Sequence, residues 1–213
     1  MPSFILLAHR GCSGLAEENT KDAFVLASQR ADAVEFDVRL TADKKIIVYH
    51  DKDLFRLCGG ARQISETKYK DLPLTKKGAK ILLLDEVLDI CKDLIIHMEV
   101  KDPRVAFCLP SNLPTEKFLL SSFDLAAVKQ MSKKFPTLYL ASHMHHVTNF
   151  GRSGANFFGV SLRLSEKIQK KHPSLVQKTY VYTVNEGGKI ISLQNNGFAG
   201  AYSDLIYKTP IEI

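Results

Sequence analysis

The chain has 213 residues, 45% hydrophobic and 24% charged, a balance that predicts one globular domain over residues 1–213 with a substantial core. It has no run of about 18 apolar residues and so no helical membrane span, and Met1–Ala8 lacks the basic flank and the length of a signal peptide, so the expected address is cytoplasmic. The formal charge of +6 is concentrated between Lys52 and Lys80, where eight basic residues stand against three acids. A basic lobe attracts anions. Without a helix-turn-helix or an aromatic-interleaved platform, the pattern suits a phosphate-bearing small molecule or lipid headgroup rather than nucleic acid.

In chain order, apolar runs predict strands at Phe4–His9, Ala33–Val38, Lys45–His50, Leu94–Val100, Phe118–Ser122, Thr137–Ser142, Phe157–Leu162 and Thr179–Val184. Most are continuous Val/Ile/Leu/Phe runs without alternation, which suits strands covered on both faces of a parallel sheet. Helices are expected at Thr20–Arg30 with Thr20 as cap, and at Leu84–Cys91, Asp124–Lys133, Glu166–Lys171 and Gly187–Asn196. The proline-containing Lys101–Pro114 reads as a loop or a stub of helix. Eight strands with helical crossovers predict an α/β fold, a compact (β/α)8 TIM barrel near the short limit of that architecture. Cys12, Cys58, Cys91 and Cys108 lie far apart without a C-x-x-C pair, the pattern of reduced thiols.

Polar residues collect at the C-terminal ends of the first four expected strands, the face where barrels build their sites. The first ends on His9-Arg10; the second reads Val34-Glu35-Phe36-Asp37, its acids two apart and on one face; the third ends on His50-Asp51; the fourth carries Glu99 and Lys101. Two inward carboxylates on a buried strand require a cation, and hard oxygen donors suit Mg2+ or Ca2+ better than zinc.

These residues resemble the motifs of the glycerophosphodiester phosphodiesterase family: His9-Arg10-Gly11, Glu17-Glu18-Asn19-Thr20, Glu35-Phe36-Asp37-Val38 and His50-Asp51, followed by Glu99-Val100-Lys101, Ser121-Ser122-Phe123, Val181-Tyr182-Thr183-Val184-Asn185 and Gly197-Phe198-Ala199-Gly200 with Ser203-Asp204. The resemblance implies that His9 and His50 form the general acid–base pair, that Glu35, Asp37 and Glu99 hold the divalent metal, and that Arg10 and Lys101 hold phosphate oxygens. It also implies a small insertion capping the site after the third strand, here residues 52–80. The implied substrate is a small glycerophosphodiester, cleaved to an alcohol and glycerol 3-phosphate when the neighbouring glycerol hydroxyl attacks phosphorus and water opens the cyclic phosphate.

Several residues carry two readings. Tyr182 stands where the family often has Trp and would wall the alcohol pocket; Ser122 and Asn185 either contact substrate or cap strand ends. His97 reads as a core histidine paired to a neighbour, and His143, His145 and His146 as a polar rim loop or a substrate contact. Glu17 replaces the proline of the family motif and has no evident role. A lysophospholipase D-like enzyme in transient contact with a membrane, without insertion, is the alternative enzyme; a non-catalytic phosphate-binding barrel is the alternative from another class.

Overall fold

The computed structural model describes residues 4–206; residues 1–3, on which part of the reading of Met1–Ala8 rests, and 207–213 lie outside it. Eight parallel strands form a closed barrel: β1 (Ile5–His9), β2 (Ala33–Leu40), β4 (Ile95–Val100), β5 (Phe118–Ser122), β6 (Thr137–Ala141), β7 (Phe157–Ser161), β8 (Thr179–Tyr182) and β9 (Gly200–Ser203). β1 pairs with both β2 and β9, which closes the ring. A further strand, β3 (Ile46–Val48), lies outside and runs antiparallel to the end of β2.

Two expectations are corrected here. The run Lys45–His50 is not a barrel strand. Only Thr41–Lys45 separate β2 from β3, and a parallel crossover needs a dozen or more residues, so the chain must double back as a hairpin. The eighth barrel strand is instead β9, Gly-Ala-Tyr-Ser, which lacks the Val/Ile run that marks its partners. Gly200 is required by the close approach of its neighbours: a Cβ there would strike the Ile5 carbonyl and lie 2.7 Å from the Tyr180 ring.

The helices are α1 (Lys21–Arg30), α2 (Phe55–Cys58), α3 (Leu84–Ile90), α4 (Leu125–Met131), α5 (His146–Ser153), α6 (Leu162–Lys171) and α7 (Gly187–Asn195). Thr20 caps α1 by accepting from the Ala23 amide, and Asp124 caps α4 from Ala127. The β4–β5 connection is trimmed to short 3-10 turns, the longer at Pro103–Phe107. α2 and α5 were not legible as helices: α2 is a single turn, and α5 begins inside the histidine run.

Apolar side chains fill three clusters. Between strands and helices lie Phe24, Val34, Phe36 and their neighbours, with Phe24 edge-on to Phe36 at 5.8 Å. Burial of each such side chain contributes roughly 1.5–3 kcal/mol. Inside the barrel, Leu7, Ala33, Leu119, Leu138, Tyr180 and Tyr202 plug the lower half. A satellite of Ile47, Tyr49, Leu54, Ile64 and Ile81 lies under residues 52–80. The upper half of the barrel is left to polar groups. Among the described residues no helix is long and apolar enough to cross a membrane.

Candidate active site

Strand register builds the site. His9 is level with Glu35, which is level with His97; one step higher, Asp37 is level with Glu99 and Glu99 with Ser121. Alternation along a strand then points Glu35 and Asp37 inward together, and His97 and Glu99 likewise. β2 runs past the barrel rim to Leu40, and β3 returns so that the Tyr49 amide donates to the Asp37 carbonyl. His50 therefore reaches the mouth from the return leg of a hairpin.

One cavity of about 260 Å3 gathers His9, Arg10, Glu35, His50, Glu99, Lys101 and Tyr182. Glu35, Asp37 and Glu99 each offer an oxygen within 4.8 Å of the others. Burial and its neighbour Asp37 push Glu35 above the usual carboxylate range, and burial does the same to Glu99. For Asp37 burial is outweighed by Lys101 and Arg10, which hold it ionised. Lys101 Nζ lies 2.5 Å from Glu99 Oε1 and 3.4 Å from Asp37 Oδ1. Both oxygens are nevertheless buried without a well-directed hydrogen-bond donor. Three buried carboxylates with oxygens this close together are a donor set for a hard divalent cation, so the three residues fit such an ion.

The two histidines are held differently. His9 Nδ1 lies 2.7 Å from Asp204 Oδ1, and Asp204 is itself clamped by Ser13 and Asn185. Burial would lower the His9 pKa, but the Asp204 hydrogen bond and the nearby Glu35 outweigh it and raise it. His50 Nδ1 lies 2.6 Å from Asp51 Oδ1, and burial, joined by the charges of Lys101 and Arg10, lowers its pKa despite Asp37.

The loop after β1 is built around the anion site. Arg10 sits at φ 54 and Asn19 at φ 57, the left-handed region costly for arginine. Both are held there: the Arg10 amide donates to Glu35 at 3.1 Å, its guanidinium donates to Glu18 at 2.9 Å, and Asn19 donates to Asp37 at 3.0 Å. Gly11, at φ 76, passes so close to Ala23 that a Cβ would lie 2.7 Å from its backbone.

Other expected residues fall as follows. Tyr182 donates to the Ala141 carbonyl at 3.0 Å and packs edge-on to Phe123, forming the apolar wall with Leu140. Ser122 points away from the cavity: its hydroxyl donates to Val100 and accepts from the Asp124 amide, a strand-end cap. The alternation that turns Ser122 outward turns Ser121 inward, where its hydroxyl is buried and unpartnered. His97 is buried beneath the mouth beside the Tyr202 hydroxyl, and burial lowers its pKa to about 3. Asn185 serves Asp204. The rings of His143, His145 and His146 pack on one another at the start of α5, and His143 and His145 line a separate cavity with Arg163 and Lys167. All four cysteines are free.

Sequence reasoning assigned no role to Asp204, Asp51 or Arg56, and to Glu18 only that of ordering the loop before α1. Arg56 spans the gap between Glu18 and Asp51, 2.6 Å from each. Asp51 adjoins His50 in the quoted motif, and Asp204 closes the last one, so the signal was present without a partner to explain it. Glu17 accepts from the Thr75 hydroxyl at 2.6 Å, which joins the first loop to residues 52–80.

A family model for the glycerophosphoryl diester phosphodiesterase family matches residues 9–107, which carry most of these groups. A probable glycerophosphodiester phosphodiesterase 1 of Mycobacterium tuberculosis is 28% identical over 82% of this chain and 77% of its own. A lysophospholipase D of Mus musculus is 43% identical, but over only 36% of this chain and 23% of its own. The crystal structure of a glycerophosphodiester phosphodiesterase from Thermotoga maritima superposes with a TM-score of 0.80 at 28% identity, covering 94% of each chain. In this barrel, mouth and motif order the chain is similar to the glycerophosphodiester phosphodiesterases, and its residues 9–107 match the model of the glycerophosphoryl diester phosphodiesterase family.

Proposed function

We propose that the protein hydrolyses glycerophosphodiesters to an alcohol and glycerol 3-phosphate by metal-dependent acid–base catalysis with His9 and His50. The observation that carries this reading is the pair of histidines with opposite pKa shifts on one cavity with three carboxylates and two cations. Mg2+ or Ca2+ held by Glu35, Asp37 and Glu99 would supply neutralisation of phosphate charge. Arg10 binds phosphate oxygens through its planar fork and Lys101 as a point charge. His50, kept neutral, takes the proton of the glycerol hydroxyl next to the diester. His9, kept protonated by Asp204, gives a proton to the departing alcohol. Attack by a neighbouring hydroxyl carries the proximity advantage of an intramolecular reaction. The roles then reverse as water opens the cyclic phosphate.

Tyr182 walls the alcohol side of the pocket, and Ser121 takes the substrate contact first assigned to Ser122. Residues 52–80 are a small basic insertion flanking the mouth, within one domain spanning 1–213. The test is a panel of glycerophosphodiesters assayed with Mg2+, Ca2+, Mn2+ and EDTA; failure to cleave any diester under every condition overturns the reading. The local 43% identity to a lysophospholipase D favours a second substrate, lysophospholipid. Rates on lysolipid against glycerophosphocholine decide between them.

A further inference from the structure

The 52–80 segment and the facing loop present a surface that the chemistry of the mouth does not use. Phe55 is 67% exposed, Leu74 58% and Leu15 52%. The three are gathered by contacts between their loops. Thr75, beside Leu74, is bonded to Glu17, two residues from Leu15. The Lys76 amide donates to Leu57, and its ammonium stands 5.9 Å from the Phe55 ring centroid. Lys52, Arg62, Lys68, Lys70, Lys76 and Lys77 are exposed. Among the described residues none of these six pairs with a carboxylate, whereas Arg56 and Lys80 do.

The same segment flanks the opening, since Arg56, Leu57, Lys76 and Lys77 share a groove of about 500 Å3 with His9 and Arg10. Unpaired cations suit any polyanion, but of the three exposed apolar side chains only Phe55 offers a ring on which a base could stack. An anionic bilayer supplies both halves of the match: phosphate charge for the lysines and acyl carbon for the apolar side chains. We propose that Leu15, Phe55 and Leu74, set in the basic 52–80 segment, form a face that docks on bilayers of anionic phospholipid and brings the mouth to the membrane surface. The docking is independent of which diester is cleaved.

Sedimentation of the whole chain with phosphatidylglycerol–phosphatidylcholine vesicles, against pure phosphatidylcholine, tests it. Partitioning is expected to be at least roughly ten-fold stronger on the anionic vesicles and to weaken with salt. Phe55→Ser with Leu74→Ser should reduce it by roughly ten-fold while hydrolysis of a soluble glycerophosphodiester, or the melting curve, stays at the wild-type value. Lys68→Glu with Lys70→Glu should weaken binding to anionic vesicles only. Absence of binding to anionic vesicles, binding untouched by the apolar double variant, or capture by single-stranded RNA without vesicle partitioning overturns the proposal.

Discussion

His9 and His50 face one cavity from two kinds of support. His9 ends a barrel strand and is braced through Asp204 by Ser13 and Asn185, all on barrel loops or strand ends. His50 comes off a hairpin outside the barrel and is braced through Asp51 by Arg56, on the basic segment. Both have a carboxylate at Nδ1, yet their proton affinities move in opposite directions. Burial lowers both: at His9 the Asp204 bond and Glu35, 3.9 Å from Nε2, outweigh it, while at His50 burial together with Lys101 and Arg10 outweighs Asp37 and the Asp51 bond. A histidine–carboxylate pair therefore does not by itself set the acid or base role; its balance against burial and the surrounding charges does.

The largest effect should come from removing either member. His9→Ala and His50→Ala are each expected to lower kcat by about 10^2–10^4-fold, and the double variant by little more than the worse single one if both serve the same steps. Full activity in either single variant would break the comparison at its root. Next comes the acid cluster between them. Asp37→Asn should lower kcat by on the order of 10^3-fold. Mg2+ or Ca2+ should raise the melting temperature of the parent protein and leave that of the variant unchanged, which scanning calorimetry reads without substrate.

The pH profile sharpens the comparison. The rate should rise as His50 loses its proton and fall as His9 loses its own, giving a bell whose apparent pKa values belong to the pair. Asp204→Asn removes the bond that raises the His9 pKa, so the alkaline limb should move to lower pH and the acid limb should stay. Asp51→Asn removes a bond that raises the His50 pKa, so the acid limb should move to lower pH instead. If both variants shift the same limb, the role assignment fails.

Acid stability separates a third histidine from these two. Burial depresses the folded pKa of His97 to about 3, so between the ordinary histidine value and that pH the unfolded chain binds more protons. Stability should rise with pH across this window and be lost as pH falls through it, by a few kcal/mol in total. His97→Phe should flatten that slope in urea titrations at pH 4 and pH 7. The smallest effect is expected at Arg56, whose side chain is 45% exposed: Arg56→Gln should cost less than about 1 kcal/mol, with salt masking most of it.

Most of the site was legible before the fold was known. The His-Arg-Gly, Glu-x-Asp and His-Asp motifs stand in order at the ends of apolar runs, and the structure brings His9, Arg10, Glu35 and His50 from them to one cavity. Seven of the eight barrel strands were legible for the same reason, since strands covered on both faces must be apolar throughout. The eighth was not, because its run Gly-Ala-Tyr-Ser, with Gly200 kept small by the Ile5 carbonyl and the Tyr180 ring, carries no strand signal.

The sequence by itself determined the chemistry available and the end of the strands at which it lies, because side-chain type and period-2 alternation are local properties. Three things were decided only by tertiary structure: that His50 reaches the mouth by doubling back, that Ser121 and not Ser122 faces the cavity, and that Asp204 stands on His9 across 195 positions of chain. The last two depend on register between elements remote in sequence, and the first on where the hairpin after β2 returns the chain to the rim. Register also sets which charges crowd each histidine, and so the direction in which its pKa moves.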